Sequence, residues 1–269
     1  MSGIKSIEKL TEENKLLAAD LKKSNEELHK VIRRLQNNYR QKDEFISMAA
    51  HELRAPMTAI KGYISMLLSG DAGPLPEKAM GYLLDATAIS ERIIRLVNNM
   101  LNVSRIEEGR TTYQMKKVGM FEIVKQVYEQ TKFESERKGL KYTLDTQKGI
   151  NDWVFVDPDR LYEVIDNLVS NAIKYTNEGA VIIKIFNPNK SYVKLEVKDS
   201  GPGISLSEQR RLFRKFYRVK STVGKTIGTG LGLYISKLLI ERFDGEMGVD
   251  SSTQKGATFW FKLPVENQK

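Results

Sequence analysis

Apolar residues recur at alternating three- and four-residue steps along the first part of the chain. Ile7, Leu10, Leu17, Leu21, Leu28, Val31, Leu35 and Phe45 fall on one seam, with Asn14, Ser24, Asn38 and Lys42 in its polar slots. The stretch Ile4–Ala55 holds neither Gly nor Pro. A heptad pattern this long predicts a parallel coiled coil, in which polar seam residues cost stability but set register. The seam then shifts by one residue. Ile46, Ala50, Leu53, Met57, Ile60, Ile64 and Leu67 continue the 3/4 pattern on an offset stripe, so the packing is expected to change near residues 45–46.

Gly70 to Pro76 is dense in turn residues. A second helix is predicted from Glu77 to Glu108, with Leu83, Ala86, Ile89, Ile93, Val97, Met100 and Val103 on one face, and Gly109 ends it. Two helices joined by a short loop form an antiparallel hairpin. One hairpin cannot cover both apolar faces, so two copies are expected to pair as a four-helix bundle, making the chain a homodimer.

Past Thr111 the pattern turns to mixed helix and strand. Helices are expected near 119–138, from Asp157 to Tyr175, and from about 232 to Phe243. Strands are expected at Lys141–Leu144, Trp153–Val156, Ala180–Phe186, Tyr192–Asp199, Glu246–Val249 and Ala257–Leu263. The fold class is therefore multidomain: a helical coiled coil and hairpin, then an α/β sandwich. The expected boundaries are 1–44, 45–110 and 115–269.

Composition narrows the chemistry. The chain has 269 residues, no cysteine and two histidines, His29 and His51. Disulfides, thiolate metal sites and a Cys nucleophile are excluded, and a multi-His metal centre has little to draw on. The net charge of +9 suits phosphate ligands, acidic partners or nucleic acid without choosing among them. No apolar run is long enough to span a membrane, and the opening residues carry no secretory core, so a cytoplasmic location is expected.

Four local patterns carry candidate chemistry. Asp199-Ser-Gly-Pro-Gly203 follows a strand; Gly201 and Gly203 permit close backbone approach by a flat ligand, and Asp199 offers an acceptor for an exocyclic amine. Gly228-Thr229-Gly230-Leu231-Gly232-Leu233 runs into a helix, a geometry that aims free N–H groups at an anion. Asn167, Asn171 and Lys174 share a helix face; an Asn carbonyl suits Mg²⁺ and the ammonium suits a phosphate. His51 and Glu52 follow seam residue Ala50 on the outer side of the helix, where an imidazole beside a carboxylate can act as a nucleophile. Taken singly, a tight turn, a surface loop, a solvated helix face and an ordinary surface His explain each pattern. His29 has no supporting motif.

In order and wording the four together resemble the sensor histidine kinases of two-component signalling, over nearly the whole chain. HELRAPMTAIKGY resembles the phosphoacceptor motif, NLVSNAIKYT the asparagine box, DSGPGI the first glycine motif, LFRKFYRV the lid motif, GTGLGLYI the second glycine motif, and GATFW the strand closing the adenine pocket. The resemblance implies ATP and Mg²⁺ as cofactors, and a response regulator receiver domain as partner. It implies His51 as phosphoryl acceptor, Glu52 as proton acceptor or orienting group, and Asn171 as metal ligand with Asn167 beside it. Lys174, Tyr175 and Arg218 would line phosphates and ribose. Asp199 would hold the adenine amine with Thr258 close by. Gly228, Gly230 and Gly232 would let the lid fold, with Phe213 and Phe216 anchoring it. Arg210, Arg211, Arg214, Lys215, Arg218, Lys220 and Lys225 supply seven cations in that region. They flank nucleotide motifs rather than a readout helix, which argues against nucleic acid.

Two alternatives stay open: a degenerate kinase acting as a dimeric scaffold, and an ATPase of the same superfamily. The ATPase typically has Glu where Asn167 stands; the neutral amide disfavours it. One departure is Ala55, four residues after His51, where the family commonly has Thr or Asn to hold a water. Weak phosphatase activity toward the partner regulator is the expectation.

Overall fold

The computed structural model describes residues 2–219, 229–253 and 255–266. The chain divides into two compact units, Met1–Glu52 and Leu53–Lys269. The first unit is helical throughout its described length, as part of α1 (Ser2–Leu68). Its seam residues Leu17, Leu21, Leu28, Val31 and Leu35 are all more than half exposed. A stripe of leucines left in water on a single chain is what a coiled-coil partner would cover. The side chains of Ile7, Leu10, Asn14, Lys42, Phe45 and Ile46 lie outside the described residues, and with them the expected packing change at 45–46.

The second unit begins within α1. Pro56 sits inside that helix and removes the donor to the carbonyl of Glu52, next to the division between the units. The rest of α1 runs antiparallel to α2 (Glu77–Glu107). Arg54 Nη2 donates to Asn98 Oδ1 at 2.7 Å, and Lys61 Nζ to Glu91 Oε1 at 2.8 Å. Of the expected face of α2, Val97 and Val103 are buried, together with Ser90, Leu101 and Ser104, whereas Ile89 is 58% exposed and Ile93 36%. The apolar stripe is wider than one hairpin can cover, so the outer part remains in water.

The α/β part is a two-layer sandwich. Its five-stranded sheet has the order β2 (Lys141–Thr146), β4 (Ala180–Asn189), β5 (Tyr192–Asp199), β7 (Ala257–Pro264), β6 (Glu246–Ser251). Only the β2–β4 pair is parallel. The inward positions alternate: Val181, Ile183 and Ile185; Val193, Leu195 and Val197; Phe259, Phe261 and Leu263. α3 (Met120–Arg137), α4 (Pro158–Tyr175) and α6 (Gly232–Arg242) supply the other layer. A separate antiparallel pair joins β1 (Lys116–Gly119) to β3 (Trp153–Val156). Neither β1 nor the one-turn α5 (Leu206–Gln209) was legible from patterning; KKVG is too short and polar to read as a strand.

α4 shows how the sequence positions the site. Asp157 caps it, its Oδ1 accepting from the N–H groups of Asp159 and Arg160 at 3.1 and 3.2 Å, with Pro158 opening the first turn. Leu161, Val164, Ile165, Leu168, Val169, Ala172 and Ile173 form its buried stripe. That burial fixes the helix rotation and leaves Asn167, Asn171 and Lys174 along one edge, facing a cavity.

Candidate active site

The cavity measures about 640 Å³ and lies between α4, α6 and the segments that follow β5 and precede β7, with α2 beside them. Asp199 is 7% exposed at the end of β5. Its Oδ1 accepts from the backbone N–H of Gly201 at 2.8 Å and of Ala257 at 3.2 Å. Burial pushes the carboxyl above its ordinary range, and these two N–H donors oppose the shift. Oδ2 accepts no hydrogen bond among the described residues. The site thus presents one carboxylate oxygen in a desolvated wall, ready for a donor from a ligand.

The asparagines are ordered as a chain. Asn171 Nδ2 donates to Asn167 Oδ1 at 3.2 Å, and Asn167 Nδ2 donates to Ser236 Oγ on α6 at 2.9 Å. This leaves Asn171 Oδ1 without a donor among the described residues. Both Asn167 amide groups are committed, so Asn167 serves to aim its neighbour.

Two glycines of the second glycine motif are required by close approach. A Cβ on Gly232 would stand 2.4 Å from Asn167 Oδ1. Gly230 has φ of +72°, and a Cβ there would meet the backbone of Phe216 at 2.8 Å. The first turn of α6 therefore lies against the asparagine edge of α4. The N–H of Leu231 donates to Thr229 Oγ1 at 3.3 Å, and among the described residues no side chain caps the N–H groups of the first turn, which remain for a ligand.

Not every expected residue reaches the cavity. Asn167, Asn171, Lys174, Tyr175, Asp199, Gly203, Arg218, Thr229, Gly230, Gly232 and Leu233 line it. Gly201 supports from behind, its N–H held by Asp199. Leu231 is a core residue, 1% exposed, rather than a lining one. Thr258 is a correction: on β7 the alternating register turns Ala257 and Phe259 to the cavity and Thr258 to the opposite face. Phe213 packs against the core, but Phe216 is 55% exposed and anchors through its backbone beside Gly230. Leu212, 6% exposed, is the buried anchor that patterning missed. Gly228, Lys220 and Lys225 lie outside the described residues. His51 is on α1, its side chain likewise outside them; Glu52 is exposed. Among the described residues, no helix is long and apolar enough to cross a membrane.

A model of the His Kinase A (phospho-acceptor) domain matches residues 41–109, and one of the histidine kinase-, DNA gyrase B- and HSP90-like ATPase matches residues 156–267. The chain belongs to the sensor histidine kinases. The chain is 32% identical over 84% of its length to the circadian input-output histidine kinase CikA of Synechococcus elongatus, and covers 30% of that protein. It is 31% identical over 84% of its length to the sensor histidine kinase WalK of Bacillus subtilis, covering 37% of it. The chain thus spans about a third of the length of these relatives. The crystal structure of full-length ShkA in complex with AMPPNP shares the fold, with a TM-score of 0.70 at 24% identity, over 84% of this chain and 46% of that one.

Proposed function

We propose that this histidine kinase binds ATP in the cavity, phosphorylates His51, and passes the phosphoryl group to an aspartate of a response regulator receiver domain. The observation that carries the reading is the pairing of the open Asp199 Oδ2 with the uncapped start of α6 in one cavity. The first suits the adenine amine and the second the phosphates. The AMPPNP named in the ShkA structure is a ligand of that same class.

In the reaction a neutral ring nitrogen of His51 attacks the γ-phosphorus. The P–N bond forms as the bond from the γ-phosphorus to the β–γ bridging oxygen breaks, and ADP leaves. Glu52 takes or orients the ring proton. Such transfer needs positioning and charge neutralisation more than covalent help. Lys174 and Arg218 line the cavity as cations for this purpose. The donor set also fits Mg²⁺, a hard ion that keeps phosphate and water ligands. Asn171 Oδ1 would hold it, and no cluster of three His or acidic groups competes among the described residues. When bound, the ion neutralises charge on the phosphoryl oxygens. The committed Asn167 amide has no basic lone pair to activate water, which argues against plain ATP hydrolysis.

Asp199→Asn replaces the ligand-facing carboxylate by a neutral amide. ATP binding should weaken by about 1–3 kcal/mol, measured by calorimetry, with the fold retained. The domain reading is 1–44 for the signal helix, 45–110 for the phosphotransfer hairpin and 115–269 for the catalytic part, working as a homodimer in the cytoplasm. Its exposed seam leads to a second test. Deleting one whole heptad within 7–38 should preserve autophosphorylation, whereas deleting three or four residues should change it several-fold; equal rates would leave the coiled coil a passive dimeriser. The proposed transfer is tested by chasing labelled protein with a panel of receiver domains. Label should move to at least one receiver aspartate, and retention by the kinase against all of them would contradict it.

A further inference from the structure

Arg92, Arg95 and Asn99 stand three and four residues apart on α2 and share one face of that helix. All three line the same cavity as Asn171, Asp199 and Gly230. Asn99 Nδ2 donates to Thr229 Oγ1, a long contact of 3.4 Å to the loop that opens α6. The two guanidinium groups are poorly neutralised. Arg92 makes no ion pair among the described residues. Among the described residues Arg95 pairs only with Glu91, at 3.8 Å, and Glu91 is already held by Lys61 at 2.8 Å. The Lys61 hydrogen bond is also the main reason that the Glu91 carboxyl sits below its ordinary range. Arg92, Arg95, Lys174 and Arg218 outnumber the two carboxylates of the cavity, Glu134 and Asp199. Concave walls carrying an excess of cations concentrate a polyanion, and a guanidinium pairs with phosphate through two parallel hydrogen bonds.

We propose that Arg92 and Arg95 form a second wall of the phosphate subsite, so that a bound nucleoside triphosphate is gripped from α2 as well as from α6. This rests on the reading of the cavity as a nucleotide site. It assigns binding residues to the hairpin's second helix, outside the motifs of the ATP-binding part. It also makes nucleotide a bridge: loading the triphosphate favours the arrangement in which α2 lies against the loop at Thr229, because only there do the two arginines contribute. A ligand can shift such an equilibrium only through the contacts it makes in one state and not the other.

The test is calorimetric titration of the full chain and of the double variant Arg92→Gln, Arg95→Gln with AMPPNP, ADP and adenosine, each with Mg²⁺. The variant should bind AMPPNP about tenfold more weakly, ADP less affected, and adenosine as tightly as the parent. The AMPPNP difference should shrink at high salt, because these side chains are exposed and screened. Unchanged AMPPNP affinity would overturn the proposal, as would an equal loss for all three ligands, which would mean a disturbed fold. If the parent binds adenosine but not more tightly AMPPNP, this inference fails alone; if it binds none of the three, the nucleotide reading fails with it.

Discussion

His51→Gln should abolish phosphoryl incorporation while leaving ATP affinity within about twofold of the parent. The reason is a separation of parts. Asp199, Asn171, Gly230 and Gly232 build the cavity from the α/β layer, and none of them needs the imidazole. Glutamine retains length and polarity on an α-helix but has no nucleophilic ring nitrogen. The measurement is a paired one, labelled ATP incorporation beside calorimetric binding. Loss of binding in step with loss of label would mean that His51 supports the nucleotide site, and the proposed division of labour would be wrong.

Gly232→Ala carries the second large effect, and two physical arguments give it opposite signs. Helix propensity alone favours Ala over Gly in a helix by roughly 0.5–1 kcal/mol. The structure places a Cβ here 2.4 Å from Asn167 Oδ1, less than any real contact allows. Either α6 retreats or the Asn167 amide turns. Turning it breaks the hydrogen bonds that run from Asn171 to Asn167 and on to Ser236. Asn171 Oδ1 then loses its aim. The expected result is at least a hundredfold fall in autophosphorylation rate with the thermal midpoint little changed, since the residue edges a cavity rather than the core. A variant as active as the parent would show that the asparagine chain is not needed.

The long helices and the strands of the five-stranded sheet were legible because their patterns are physical periods. The stripe Leu161 to Ile173 on α4 and the alternation Val193, Leu195, Val197 on β5 leave few other solutions. What sequence missed has equally physical causes. Thr258 was misplaced by one residue, and in a period of two one residue is the opposite face. Ile89 and Ile93 are no such miss: they lie on the apolar face that the sequence leaves for a second hairpin, and in a single chain they are exposed. The resemblance implied Phe216 as a lid anchor, yet the contact that matters is its backbone against Gly230. Arg92, Arg95 and Asn99 are far in sequence from every nucleotide motif. Their one signal was three polar residues on one face of a helix otherwise read for its apolar side.

The most direct test of the central claim is the chemistry of the labelled bond. The full chain is incubated with γ-labelled ATP and Mg²⁺, and the labelled protein is divided between acid and alkali before digestion. A phosphoramidate on imidazole is lost in acid and survives alkali, whereas phosphoserine and phosphothreonine esters survive acid. The account predicts label that acid removes, alkali spares, and digestion places on the peptide carrying His51. Acid-stable label, label on a peptide without His51, or no label at all would contradict it.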